Sequence, residues 1–378
     1  VFDVGKDVEV IIQSSNRRRG PPSSPDLKLF QAKVLTPKQT VIKAKLQLRD
    51  DGSISVHFTS YIPGRHRLAV QVEGNSLRGS PRTLEIKGEP DYSTGTTLLQ
   101  KLPTNLLEGI LNSLCVRPDS GGNMYVLDEG VIRVFDADFN PLHTIDLLDM
   151  TKKPWNFTIN SEGRIIVSDT SSHKLFVFNT DGTFLHEIGS EGKGHGELKT
   201  PLGVTADSYD NIAVCDAGNY RIQLFNPDTS FKCSFGDEQD GETIFPVSIQ
   251  FNSQGQIIVA ESSLWFSNYR PLPVPPGGFD AANAVECVKI FSRDGQVLQK
   301  FGEPGEGRGQ FWAPISLAVD HWDHIWVADF TYGSIQVFDE KGNLKGVFAS
   351  EEKDKGAGWL STMTAASNGA VLYMSAPL

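Results

Sequence analysis

Cations and aromatic rings share short stretches at several places in this chain. They are Lys152-Lys153-Pro154-Trp155, His173-Lys174, Lys199, Tyr220-Arg221 and Phe330-Thr331-Tyr332. This pairing suits one chemistry above others. Ammonium and guanidinium groups meet phosphates, while rings stack on exposed bases. A second pattern is a series of carboxylates, Asp128, Asp169, Asp216, Glu261 and Asp329, each closing an apolar run. One carboxylate per repeat spreads them around a disc and does not converge them on one ion. They are expected to accept backbone N–H bonds in the following turn.

Other reactive residues form no familiar constellation. His321-Trp322-Asp323-His324 places two histidines three apart, without an evident third ligand. The four cysteines, Cys115, Cys215, Cys233 and Cys287, form no C-x-x-C pair and read as reduced, mostly buried thiols. That pattern gives a reducing, cytoplasmic setting as the expectation. No nucleophile elbow or phosphate-binding loop is present, so no enzyme activity, metal or cofactor is expected. No apolar run spans a membrane. The start, Val1-Phe2-Asp3, has neither a Met nor a signal-peptide pattern and reads as the start of an excised fragment.

The elements that position these residues follow from the repeats. Met124–Asp128, Ile165–Asp169, Ile212–Asp216, 257–261 and Ile325–Asp329 are variants of one apolar strand, and Val371–Ser375 is a worn copy. The last position of the motif steps by 41, 47, 45, 68 and 46 residues. A period near 45 containing several short strands marks a β-propeller. Four strands are legible per unit, with turns such as Asp181-Gly182 and Asp294-Gly295 between the third and fourth. The sixth copy lacks outer strands. Residues 96–102, which resemble the fourth strand 297–301, are expected to complete it and close the ring.

Residues 1–90 differ in pattern and charge. Alternating Leu46, Leu48, Ile54, Val56 and Phe58 flank Asp51-Gly52 as a hairpin, and Leu68, Val70 and Val72 follow the Pro63-Gly64 turn. This part carries 15 Lys/Arg against 9 Asp/Glu, while residues 91–378 carry 20 against 37. Two domains with different surfaces are implied, and the Arg17-Arg18-Arg19 loop is an expected solvated excursion.

Two resemblances follow from these residues. Asp51-Gly52-Ser53-Ile54-Ser55-Val56-His57-Phe58 and Gly79-Ser80-Pro81 resemble a filamin-type immunoglobulin repeat. Gly194-His195-Gly196-Glu197-Leu198, Asp216-Ala217-Gly218-Asn219-Tyr220-Arg221-Ile222-Gln223 and Gly307-Arg308-Gly309-Gln310-Phe311 resemble NHL repeats. The combination is similar to the C-terminal half of TRIM-NHL proteins. It implies an all-β chain: a filamin-type sandwich over 1–90, then a six-bladed NHL propeller over 91–378. It also implies an RNA-binding regulator that recognises a stem-loop or single-stranded element in a 3′ untranslated region and represses the message. The residues expected to touch RNA are Lys152, Lys153, Trp155, His173, Lys174, Lys199, Tyr220, Arg221, Phe330 and Tyr332. No DNA or membrane partner is expected. The alternative is a protein-recognition module, the substrate arm of a ubiquitin ligase whose RING would lie upstream. Its support is the acidic propeller and the Pro-rich insertion over 262–286, which carries Trp265-Phe266.

Overall fold

The computed structural model describes residues 2–12, 27–37, 40–51, 53–87, 99–101, 113–128, 130–137, 139–236, 244–263, 285–349, 360–366 and 369–375. The arginine loop over 16–25, Trp265-Phe266 and Trp359 lie outside them. The chain forms two compact units, one built mainly from residues 1–99 and the other mainly from the rest. Among the described residues, no helix is long and apolar enough to cross a membrane.

The first unit is a two-sheet sandwich. One sheet runs Phe2–Asp3, Arg82–Lys87, Gly64–Val72, Phe30–Leu35, Val41–Lys43, with Asn75–Ser76 added against Gly64–Val72. The other runs Asp7–Ile12, Ile54–Thr59, Lys45–Leu48. The alternation read from the sequence sets the faces: Val34, Val56, Phe58, Leu68, Val70 and Ile86 point into a shared core. The anticipated hairpin pairs Leu48 with Ile54, and Asp51 accepts the Ser53 N–H at 2.9 Å. Ser80 accepts the Val70 N–H at 2.8 Å, which ties the loop before the last strand to the sheet.

The second unit is a propeller. Blade one comprises Ser113–Pro118, Met124–Asp128, Val131–Phe135 and Pro141–Asp146. Blade two comprises Pro154–Ile159, Ile165–Asp169, Lys174–Phe178 and Phe184–Ile188. Blade three comprises Pro201–Ala206, Ile212–Asp216, Arg221–Phe225 and Phe231–Phe235. Blade four comprises Pro246–Phe251, Ile257–Ser262, Glu286–Phe291 and Val297–Phe301. Blade five comprises Pro314–Val319, Ile325–Asp329, Ser334–Phe338 and Leu344–Ala349. Blade six holds Leu360–Ala365 and Val371–Ser375. The first strands pack in a closed ring, and that of blade six rests against that of blade one.

Leu99–Lys101 joins blade six, but not as a fourth strand. It pairs directly with Val371–Ser375 and so occupies the third-strand place of a blade that has three strands among the described residues. Sequence likeness to a fourth strand reported its alternation and not its neighbour.

The Asp-Gly and Lys-Gly turns have a packing reason. A Cβ on Gly295 would lie 2.5 Å from the Phe235 ring, and one on Gly342 would lie 2.8 Å from Phe301. Each of these rings belongs to the fourth strand of the preceding blade. The glycine makes room for it and supplies the positive φ of the turn.

Carboxylates crowd the face carrying the first-to-second and third-to-fourth turns, called the lower face below. Asp119, Asp136, Asp207, Asp320 and Asp339 each accept the backbone N–H four residues ahead, at 2.8–3.0 Å. Hydrogen bonds from Thr183 and Ser230 hold the Asp181 and Asp228 carboxyls below the usual range. Much of the propeller's negative charge is therefore turn chemistry. His321-Trp322-Asp323-His324 belongs to it as well. Asp320 accepts the Trp322 and His324 N–H groups, and Asp323 accepts the Ser253 N–H of blade four at 2.8 Å.

Asp210 makes the same clamp one blade pair earlier, accepting the Ser161 N–H at 2.8 Å and its hydroxyl at 2.6 Å. Asp210 holds φ near 62°, where glycine is at ease and alanine is strained. Asp210→Ala loses the clamp and keeps the strain, whereas Asp210→Gly loses only the clamp. The glycine variant should therefore be more stable than the alanine variant by about 1 kcal/mol. Paired urea titrations check this, and equal midpoints would remove the strain argument.

Candidate nucleic-acid interface

The opposite face, called upper here, is built from the loops before the first strands and after the second strands. Its framework is the repeated carboxylate. Asp169 is fully buried; one oxygen accepts the Lys152 and Lys153 N–H groups, both at 2.7 Å. The other accepts those of Ser171 and Ser172, at 3.0 and 2.7 Å. Asp329 repeats this with Trp312, Ala313, Thr331 and Tyr332. The expected role in the turn is observed, extended to the loop before the first strand. Among the described residues, no group of three His, Cys, Asp or Glu could hold a metal.

These bonds fix the backbone and leave the Lys152 and Lys153 side chains exposed. The turn then continues to His173, held at φ near 57°. Its Nδ1 accepts the Thr200 N–H of blade three at 2.8 Å, so the ring proton sits on Nε2, which lies 3.8 Å from a Glu191 oxygen. Lys199, one residue earlier, donates its N–H to Asp216 at 2.6 Å. Lys152 and Lys153 thus stand on the Asp169 frame of blade two, and His173 ties that frame to Thr200, beside Lys199, of blade three.

Aromatic groups gather beside them. Trp155, Phe245 and Phe330 are half-buried and pack on one apolar cluster that includes Leu202 and Val247. Tyr220 meets Phe245 edge-on, with centroids 5.5 Å apart, and burial pushes its phenol pKa up. Trp155 and Phe330 come from blades two and five, so the sequence separates what the ring brings together. Tyr332 stands in a separate group at blade five. Its hydroxyl donates to Glu306, and its ring meets exposed Trp312 edge-on at 6.4 Å. Partial burial and the Glu306 carboxylate push the Tyr332 phenol up to about 12.

Two expected phosphate contacts are engaged elsewhere. Arg221 is 6% exposed. Its Nε donates to Asp216 at 2.8 Å, and its Nη2 donates to the carbonyls of Gly194 and Glu197 at 2.8 and 2.9 Å. It clamps the glycine loop to the blade, and a buried guanidinium so satisfied is not offered to a ligand. Lys174 is partly buried and bonds Glu187 of the fourth strand at 2.6 Å, which draws its charge outward along the blade. Both residues read as surface cations because their sequence neighbours are turn residues.

The sequence reading passed over Phe245 and Lys193. Phe245 directly precedes the first strand of blade four, which is the position of Lys153 in blade two. Lys193 is exposed within Gly192-Lys193-Gly194-His195-Gly196. That loop is anchored from below: Gln223 accepts the Gly196 N–H at 3.0 Å and donates to the Glu197 carbonyl. Gln336 does the same for Gly309 and Gln310 in blade five. A glycine loop held this way presents whatever polar residue lies between its glycines. Of the insertion over 262–286, only 262, 263, 285 and 286 are described.

Residues 2–83 match the filamin/ABP280 repeat family, and residues 127–235 match a family described as a six-bladed β-propeller. The chain is 26% identical over 155 residues to Protein lin-41 of Caenorhabditis elegans, a stretch covering 41% of this chain and 10% of that protein. The chain has the TRIM-NHL architecture. A solved virginiamycin B lyase from Staphylococcus aureus superposes with a TM-score of 0.50 at 13% identity, covering 70% of this chain and 78% of its own. A streptogramin B lyase gives 0.50 at 11% identity, covering 70% and 90%. At that identity the lyases share only the fold with this TRIM-NHL propeller. The propeller fold therefore hosts enzymes, and any activity must be argued from the site.

Proposed function

We propose that this chain is the non-catalytic, RNA-binding module of a cytoplasmic TRIM-NHL regulator. It recognises a short stem-loop or single-stranded element in a 3′ untranslated region and represses the message. The observation that carries this reading is the junction of blades two and three. There the exposed Lys152 and Lys153 amines stand on a hydrogen-bonded frame with His173 and Lys199, near half-buried Trp155, Tyr220 and Phe245. The amines would hold phosphates, the His173 Nε2–H would donate to a base or phosphate, and the ring edges would line a platform for bases.

Lys152→Glu with Lys153→Glu tests it. Their backbone N–H groups do the structural work, so the fold is retained. Fluorescence polarisation against a pool of short RNA hairpins and single strands should show affinity falling by on the order of tenfold or more. The slope of log K against log salt should flatten by about 1.4, from two lost phosphate contacts. Unchanged affinity and slope would refute the assignment of this junction.

A further inference from the structure

The positive charge of residues 1–90 has a place in the fold. In the larger sheet of the first unit, cross-strand partners show which residues share the solvent face. Lys33 pairs with Lys43 on one side and Ala69 on the other. Arg67 pairs with Leu35 and Thr83, and Arg65 pairs with Glu85. Lys33, Lys43, Arg65 and Arg67 are all exposed. Asp3, Glu85 and Lys87 sit toward the Phe2–Asp3 edge of this face, where Lys87 lies 3.9 Å from Glu85. Among the described residues, Lys33, Arg65 and Arg67 form no ion pair.

The smaller sheet is different. On its solvent face Arg49 pairs with Glu9 at 2.5 Å and His57 with Asp7 at 2.9 Å. The larger sheet, besides its Lys87–Glu85 pair, sets Lys33 directly opposite Lys43, a like-charge placement that destabilises a strand pair. Lys33 opposite Lys43, with Arg67 two positions along the neighbouring strand, makes a flat basic array. Its spacings are about 5 Å across strands and about 7 Å along them. Such an array suits a ligand that carries repeated negative charge on an extended backbone.

We propose that this sheet face binds the phosphate backbone of RNA, as a second contact separate from the propeller junction. The inference rests on the RNA reading of the chain. The face carries cations and no exposed aromatic ring among its described residues, so it takes phosphates without reading bases. The acidic propeller then needs only a local basic junction for recognition, and the basic sheet supplies sequence-independent affinity.

The test uses the whole chain and its Lys33→Gln, Lys43→Gln, Arg67→Gln triple variant beside the Lys152→Glu, Lys153→Glu double variant. Each is titrated with a 30-nucleotide single-stranded RNA and a 10-nucleotide RNA across a salt series, after a thermal melt. The triple variant should lose on the order of tenfold on the long RNA at low salt. Its log–log salt slope should flatten by about 2, from three lost contacts. The short RNA should be affected less. If the triple variant melts early, Lys33→Gln with Arg67→Gln replaces it, with an expected flattening of about 1.4. An unchanged slope in the neutralised sheet variant overturns this proposal, whatever the double variant does. An unchanged double variant beside a flattened sheet variant overturns the propeller assignment alone. If wild type binds neither RNA, both fall. If the sheet variant loses only binding to phosphatidylserine vesicles, the face belongs to a membrane and this proposal is wrong.

Discussion

Replacing Arg221 with alanine should destabilise the propeller by about 3–5 kcal/mol, the range for breaking a buried ion pair from one side. Asp216 is fully buried, and the variant leaves its carboxylate without the Nε bond at 2.8 Å. The carbonyls of Gly194 and Glu197 each lose one of two donors, keeping the Glu197 N–H and the Gln223 amide respectively, which loosens the glycine loop before blade three. The effect should depend on pH. Burial raises the Asp216 pKa, against bonds from Asn219, the Lys199 N–H and Arg221. Removing Arg221 raises it further. A carboxyl whose folded pKa lies above its unfolded value stabilises the fold while protonated, and that contribution is lost as pH rises through the folded pKa. The variant's deficit should therefore be smaller near pH 5 than near pH 8. Urea denaturation at both values measures this, and a deficit under 1 kcal/mol at pH 8 would contradict the clamp. Any fall in RNA affinity for this variant should track unfolding, unlike that of the Lys152, Lys153 variant.

Arg221 also shows where sequence reading runs out. The repeat Asp216…Arg221-Ile222-Gln223 was legible, and so was the propeller it implies. Each apolar strand alternates in register with its neighbours and must be buried on both faces. The turns were legible because Asp and Asn at their first positions bond backbone groups four residues on. Side-chain direction at the third strand's first residue was not. Asp169 faces Lys174 there, Asp216 faces Arg221, and Asp329 faces Ser334. Lys174 leans outward to Glu187, while Arg221 folds inward because two loop carbonyls await it. That choice depends on a loop some 25 residues earlier, and no local pattern carries it. The convergence of Trp155, Phe245 and Phe330 was hidden for the same reason, since a ring brings distant blades to one centre.

Blade four provides the comparison that separates charge from packing. Its repeated carboxylate is Glu261, one methylene longer than aspartate, and Lys289 lies within 3.2 Å of it. Both are almost fully buried. Lys289 stands opposite Val259, the register position that holds Gln223 opposite Val214 in blade three and Gln336 opposite Val327 in blade five. Where those glutamines bond a glycine loop, the blade-four lysine lies beside the Glu261 carboxylate. Lys289→Ala should cost about 3–5 kcal/mol, because a buried carboxylate loses its counter-charge and a long side chain leaves a gap. Lys289→Met with Glu261→Gln removes both charges and keeps most of the volume. Its cost should be at least about 2 kcal/mol smaller than that of Lys289→Ala, because no unpaired charge remains. Denaturant midpoints of wild type and the two variants decide it. If the double variant is as unstable as Lys289→Ala, packing and not charge pairing governs this blade, and the substitution of lysine for glutamine has no electrostatic role.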